Sequence, residues 1–259
     1  MKPFYIFFLF LCFPLLAEPL KIYTINEPPL NIVKGKTKEG IAVDVVNEII
    51  KRNNLHAQIE YRPWPRAYQD LLNDKNVVLF SISKTKSREN LFKWVGPIAQ
   101  KNMVLYARKN AEIDIQSLQE AKQVPSILAM TSDSKSQYLV NNGFKNIVNL
   151  PTWKQAVLML AKKRGTLLTQ SDIDFPVLLK EVNLNPSDFE PVFTLFSSQT
   201  YIGFSDETPD EIVNQWQRTL QEIKDDGTFN QIVEKWAKYY NAPQWKVKQG
   251  MLVSLQPEK

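Results

Sequence analysis

Past Cys12 the chain has no cysteine, and His56 is its only histidine. Losing the N-terminal segment would remove the one thiol, so no disulfide can form even where disulfides persist. Clusters of His and Cys around a metal are excluded too. A Ser-His triad would have to use His56, which sits in "NNLHAQIE", a connection from a helix to a strand. The 8 glycines are scattered, and none builds a phosphate-cradling loop. Charge of either sign is never concentrated: 32 basic and 27 acidic residues are interspersed, with a formal charge of +5. A dense basic block of the kind that tracks a nucleic-acid backbone is missing. No metal, cofactor or nucleic acid is therefore expected. After residue 17 no apolar run approaches the roughly 20 residues that cross a bilayer as a helix.

The chain opens with "MKPFYIFFLFLCFPLLA". A positive start at Lys2, an apolar run and small Ala17 describe a secretory signal peptide over residues 1–17. "LFL" before Cys12 lacks the small residue of a lipoprotein signal. Without Lys2 the 32 basic residues become 31 against 27 acidic, a charge of +4. The remaining 240 or so residues are enough for one large α/β domain or two smaller ones.

Strands and helices alternate along the chain. "LKIYTI" reads as a strand. "GIAVDVVNEIIKRN" places Val45, Val46, Ile49 and Ile50 on one helical face, "AQIEYRP" is a strand, "PRAYQDLLNDK" a helix opened by Pro65, and "VVLFSIS" a buried strand. A second series follows. "SILAMT" is a strand, "DSKSQYLVNNG" a helix closed by Gly143, "NIVNL" a strand, "TWKQAVLMLAKKRG" a helix capped by Thr152 with Gly165 past its end, and "TLLTQ" a strand. Two helices finish the chain, the first with Thr208 and Glu211 spaced as a capping box. Such a βαβ series favours mostly parallel sheets with flanking helices. The extended connections "MVLYARK" and "QTYIGFS" suggest two units joined by two crossings, with a cleft at the C-terminal ends of the strands.

"SISKTKSREN" leaves the buried strand through Ser81 and Ser83 and then presents Arg88. The stretch is either a solvated loop or a corner that binds a carboxylate. "GIAVDVVNEI", "PWPRAYQDLL", "SISKTKSREN" and "DDGTFNQIVEKW", in that order and spacing, resemble the bacterial periplasmic solute-binding proteins of family 3, the polar amino-acid type, over nearly all of residues 20–240.

That resemblance implies an α/β, two-lobed type II periplasmic-binding-protein fold with two crossover strands and a hinge. Residues 18–105 and 201–259 would form one lobe and 106–200 the other. It implies a monomer in the periplasm that closes on a small carboxylate-bearing solute and delivers it to an ABC transporter permease. Arg88 matches the family arginine that grips the ligand carboxylate, a task suited to a bidentate guanidinium. Ser81 and Ser83 match positions that fix the ligand, and Trp64 matches an aromatic wall. Arg66 is a second cation, facing either the cleft or solvent. In the other lobe "MTSDSKSQ" would offer N–H groups from 131 to 134, with Ser132 and Ser134 among the contacts. Asp172 or Asp174 would meet a ligand ammonium, one or two residues out of register with the family.

Other readings are an enzyme of the cyclic-acid dehydratase kind, with Glu27 of "NEPPL" as a ligand contact and general acid, and a sensor that docks on a membrane partner. The signal reading is checked by mass spectrometry of the secreted protein. Its first residue should lie within a few positions of Glu18, and a retained apolar segment would refute the reading.

Overall fold

The computed structural model describes residues 19–255, so the signal segment and Cys12 lie outside the described residues. In the first unit β1 (Lys21–Thr24) is followed by a hairpin, β2 (Ile32–Lys34) and β3 (Thr37–Glu39). Then come α1 (Ile41–Arg52), β4 (Ile59–Tyr61), α2 (Trp64–Asn73) and β5 (Val77–Ser83). A long strand, β6 (Phe92–Arg108), leads to the second unit: α3 (Leu118–Ala121), β7 (Ile127–Met130), α4 (Ser134–Asn141), β8 (Ile147–Leu150), α5 (Trp153–Ala161), β9 (Leu167–Ser171) and α6 (Phe175–Glu181). The return strand β10 (Phe189–Ser205) precedes α7 (Asp210–Asp225), α8 (Thr228–Tyr240) and a closing hairpin, β11 (Trp245–Lys248) and β12 (Met251–Ser254).

One sheet path runs β4-β1-β5-β10-β6-β9-β7-β8. Its outer strands, β4-β1-β5 and β9-β7-β8, are parallel, as βαβ connections require. Its centre is antiparallel: β6 and β10 pair from Phe92↔Ser205 to Arg108↔Phe189. The connections read from sequence are thus parts of two strands of 17 residues each.

Each unit buries both faces of its strands. In β5, Val78 and Phe80 enter a core with α1, α7 and α8, and Val77 and Leu79 enter a second core with α2. In β7, Leu128 and Ile127 divide in the same way between two cores of the second unit. The period-2 rule breaks in β5 at Ser81, whose φ is 65°. Opposite it the pairing jumps from Ile202↔Phe80 to Tyr201↔Ile82, so Ser81 is the extra residue of a β-bulge. Ile82 therefore returns to the α2 side with Leu79.

Gly40 and Asp44 tie the first lobe together. Gly40 (φ 127°) lets the chain pass close enough for Leu30 O to accept from Ala42 N and Pro29 O from Ile41 N. This anchors the loop at residues 25–31 to the start of α1. Asp44 accepts from Trp236 Nε1 at 2.8 Å and pairs with Lys235 at 2.7 Å, fastening α1 to α8.

Some local expectations fail. Thr208 does not cap α7: its hydroxyl meets Ser205 Oγ at 3.0 Å, it is fully buried, and Pro209 holds the cap position. The inward hydrogen bond outcompetes the capping box. Thr152 does cap α5, accepting from Gln155 N at 3.3 Å, and the helix ends at Ala161 with Gly165 past its end.

A Cβ on Gly40 would stand 2.4 Å from Leu30 O, a backbone atom. Gly40→Ala should cost on the order of 3 kcal/mol, roughly 6–12 °C in Tm. Gly35→Ala, at φ 61° in open space, should cost about 1 kcal/mol. Equal melting temperatures for the two variants would refute the close-approach account.

Candidate functional site

The loops after β1, β5 and β7 and the start of α2 meet between the two lobes, at the C-terminal ends of the parallel strands. Glu27 is placed by a backbone bridge with Asn31, N to O in both directions at 2.8 and 3.0 Å. The bulge at Ser81 turns its hydroxyl onto Asn31 Oδ1 at 3.0 Å. The turn after β5 is closed by Arg88 N donating to Thr85 O at 2.9 Å, which folds Arg88 back over the strand end. From the second lobe, Asp133 caps α4 by accepting from Ser136 N at 2.7 Å. This sets Ser134 and Lys135 at the cleft.

Glu27, Ser81, Arg88, Asp133, Ser134 and Lys135, with Ile25, Ser83, Trp64, Met130 and Trp153, line one cavity. Its enclosed space is about 30 Å³, room for a water or two. Arg88 crosses it and is only 2% exposed. Its Nη2 donates to Gln137 Oε1 at 3.0 Å and to Ser132 O at 3.4 Å, and Trp64 Nε1 reaches the same carbonyl at 3.3 Å. All three bonds join the lobes. The guanidinium lies 5.2 Å from the Trp64 ring centre and 5.0 Å from that of Tyr68. Its Nε has no partner. Burial pulls the Arg88 pKa down, against the smaller opposing pull of Tyr68, Asp133 and Glu27, and neither of the two carboxyl groups forms an ion pair with it.

The other buried cations are paired. Lys135 Nζ lies 2.9 Å from Asp133 and 4.6 Å from the Trp153 ring centre. Lys101, in the middle of β6 and 2% exposed, reaches Asp174 at 2.8 Å and Glu27 at 3.3 Å. Burial opposes the Lys101 charge, but the two carboxylates outweigh it and its pKa lies above the ordinary value. Burial, reinforced by Asp174 and opposed by Lys101 and Lys135, pushes the Glu27 carboxyl up to about 7.

Of the residues singled out from sequence, Arg88, Ser81, Ser83, Trp64, Ser134 and Glu27 line this cavity. Ser132 contributes its carbonyl, aimed by a positive φ of 60°. Two of the N–H groups expected from 131 to 134 are already used: Thr131 N donates to Leu150 O and Asp133 N to Met130 O. Arg66 takes the solvent side of its two open directions and is not a cleft contact: it is 71% exposed and meets Asp70, its i+4 partner on the outer face of α2, at 3.4 Å. Asp172 is corrected. Its carboxylate accepts from Asn102 N at 3.0 Å and Nδ2 at 2.9 Å, which satisfies it away from the cavity, and burial moves it up to about 6. Asp174, two residues on, is the one that connects inward, through Lys101. Sequence reasoning missed Lys101, Lys135, Asp133 and Trp153. A signal existed for Lys101, a lone lysine inside the apolar run "GPIAQKNMVLY".

A mixed α/β sheet divided into two lobes by two long crossing strands, with a lined cavity between the lobes, defines a type II binding-protein fold. The chain matches the family model of bacterial extracellular solute-binding proteins, family 3, over residues 20–239, and it belongs to that family. It is 25% identical over 203 residues to the L-cystine-binding protein TcyA of Bacillus subtilis (strain 168), covering 76% of this chain and 72% of that protein. It is 22% identical over 236 residues to a protein of Neisseria gonorrhoeae named "Probable histidine-binding protein", covering 86% and 85%. A crystal structure of an ABC uptake transporter substrate-binding protein from Streptococcus pneumoniae with bound histidine shares the fold: the TM-score is 0.73 at 15% identity, over 83% of this chain and 91% of that one. Among the described residues no helix is long and apolar enough to cross a membrane.

Folding raises Glu27 above its ordinary range, so the folded protein holds a proton that the unfolded chain has released. Between about pH 4.5 and about pH 7 stability therefore falls as pH rises, by up to roughly 3 kcal/mol. Asp172 acts in the same direction. Glu27→Gln should flatten the fall in Tm between about pH 5 and about pH 8. An unchanged slope would show that Glu27 titrates normally.

Proposed function

We propose that this protein is a binding receptor, not an enzyme. It holds a small carboxylate-bearing solute, an amino acid or close relative, between its lobes in the periplasm and passes it to an ABC transporter permease. The observation that carries this reading is Arg88: a buried guanidinium in the cleft whose hydrogen-bond partners are a carbonyl and an amide. A buried charge needs a counter-charge, and a carboxylate supplies two oxygens in the plane of the guanidinium. Such a ligand takes over the acceptor role of Ser132 O, with the Ser81, Ser83 and Ser134 hydroxyls beside it and Trp64 as a wall. Membership of the family and the two named relatives support the amino-acid class. The lobes divide near residues 105 and 200, within or at the edge of the crossing strands, and the receptor works as a monomer. Closure on ligand is a shift between open and closed populations.

Arg88→Lys should behave nearly as badly as Arg88→Ala in calorimetric titration with the solute found by a thermal-shift screen of amino acids and organic acids. Each should lose on the order of 2–5 kcal/mol of binding. Neither should lower Tm appreciably, because no carboxylate is orphaned by the change. Normal binding by Arg88→Lys would refute bidentate recognition. The solute recovered after incubation should be chemically unchanged; turnover that vanishes in Glu27→Gln would overturn the receptor reading.

A further inference from the structure

The cavity at Arg88 is too small to hold more than the head of a solute. Four of its walls, Ile25, Trp64, Met130 and Trp153, continue into an adjoining groove of about 420 Å³, within the range of pockets that bury small organic ligands. The groove runs between the lobes. Tyr61 and Pro63 line it from the first lobe; Val157 and Leu178 line it from the second. Tyr61 is 46% exposed, one of the few large apolar side chains on the surface of the described residues. Its charged lining, Lys154 and Glu181, is one residue of each sign.

We propose that this groove is the side-chain subsite, and that the protein selects carboxylates carrying an aromatic or large apolar group over small, acidic or basic ones. The assignment rests on the reading of Arg88 as carboxylate anchor. Charge and shape support it together. At the head of the site Arg88 calls for an anion, and both lysines there are already neutralised by carboxylates. Beyond it, the way out passes between two tryptophans onto Tyr61 and Leu178. Two hollows border the head of the site: this groove shares four walls with it, whereas the one beside Lys84, Lys86 and Gln137 shares only Ser134, so the remaining atoms of a ligand held on Arg88 pass most directly into the groove. An apolar group there displaces water from apolar walls, whereas an acidic or basic side chain must give up its hydration beside them. Aromatic rings gain further from tryptophan and tyrosine faces and edges.

The test uses the chain without its signal segment, with L-tryptophan, L-phenylalanine, indoleacetate and phenylacetate as probes. L-alanine, L-glutamate and L-arginine serve as comparisons. At least one aromatic probe should bind ten times or more tighter than every comparison. Tyr61→Ala, an exposed edge-strand position where folding is safe, should weaken that probe about tenfold and leave the melting temperature of the free protein unchanged. Tighter binding of any comparison, binding of no aromatic probe, or an unaltered affinity in Tyr61→Ala overturns the assignment. Arg88→Lys separates the two readings. If it abolishes binding while Tyr61→Ala does not, the carboxylate anchor stands and the groove falls. If an aromatic probe binds Arg88→Lys normally but is lost in Tyr61→Ala, the groove stands without the anchor.

Discussion

The antiparallel pair of β6 and β10 carries the two lobes, and one buried cation sits at its centre. Lys101 pairs across the strands with Ser198, and its side chain leaves the sheet to meet Glu27 of one lobe and Asp174 of the other. An ammonium so placed is tolerable only with the Asp174 charge beside it and its hydrogen bonds to both carboxyl groups in position. The geometry of the first lobe's loop, of the crossing strand and of the start of α6 is therefore coupled through three side chains. Apolar contacts reinforce the coupling: Ile173 and Val177, next to Asp174, belong to the same buried cluster as Leu30 and Ile32 from the first lobe.

The cleft inherits its charge pattern from this arrangement. Lys101 and Lys135 engage all three of its buried carboxylates, Glu27, Asp133 and Asp174. Arg88 is left with neutral acceptors and the faces of Trp64 and Tyr68. Rings can stabilise a guanidinium without cancelling its charge; with Glu27 protonated, Lys101 and Lys135 balance Asp133 and Asp174, and Arg88 is the charge left over. Glu27 is held at the other end, where a shift of one proton changes the balance. The same loop that presents it is fastened by Gly40 to α1, and α1 by Asp44 to α8, which links the "GIAVD" and "EKW" segments of the sequence to the cleft without either one touching it.

Much of the fold was legible because its signals are local. Apolar runs of four to seven residues bounded by polar turns became strands, and 3.6-period faces became helices in the expected order. Thr152 caps its helix, as expected, by a bond that spans three residues. The failures came where a competing partner won, a near one for Thr208 and Arg66 and a distant one for Asp172. Thr208 had the spacing of a capping box, yet Ser205 drew its hydroxyl inward. Asp172 carried the right chemistry for a cleft, yet Asn102 on the neighbouring strand satisfied it. Arg66 had two open directions on a helix, and the turn of the helix sent it to Asp70.

Residue order and short-range periodicity were enough for the class of fold, the family motifs, and a hydroxyl-rich strand end followed by an arginine. Which charges are neutralised was settled by the packing of distant segments. Ion pairing between Lys101 and residues 74 positions before it and 73 after it leaves no local trace. The bulge at Ser81, the carbonyl of Ser132 turned toward Arg88, and the groove between Trp64 and Trp153 likewise exist only where segments distant in the chain pack together, because burial and electrostatics act through space and not along the chain.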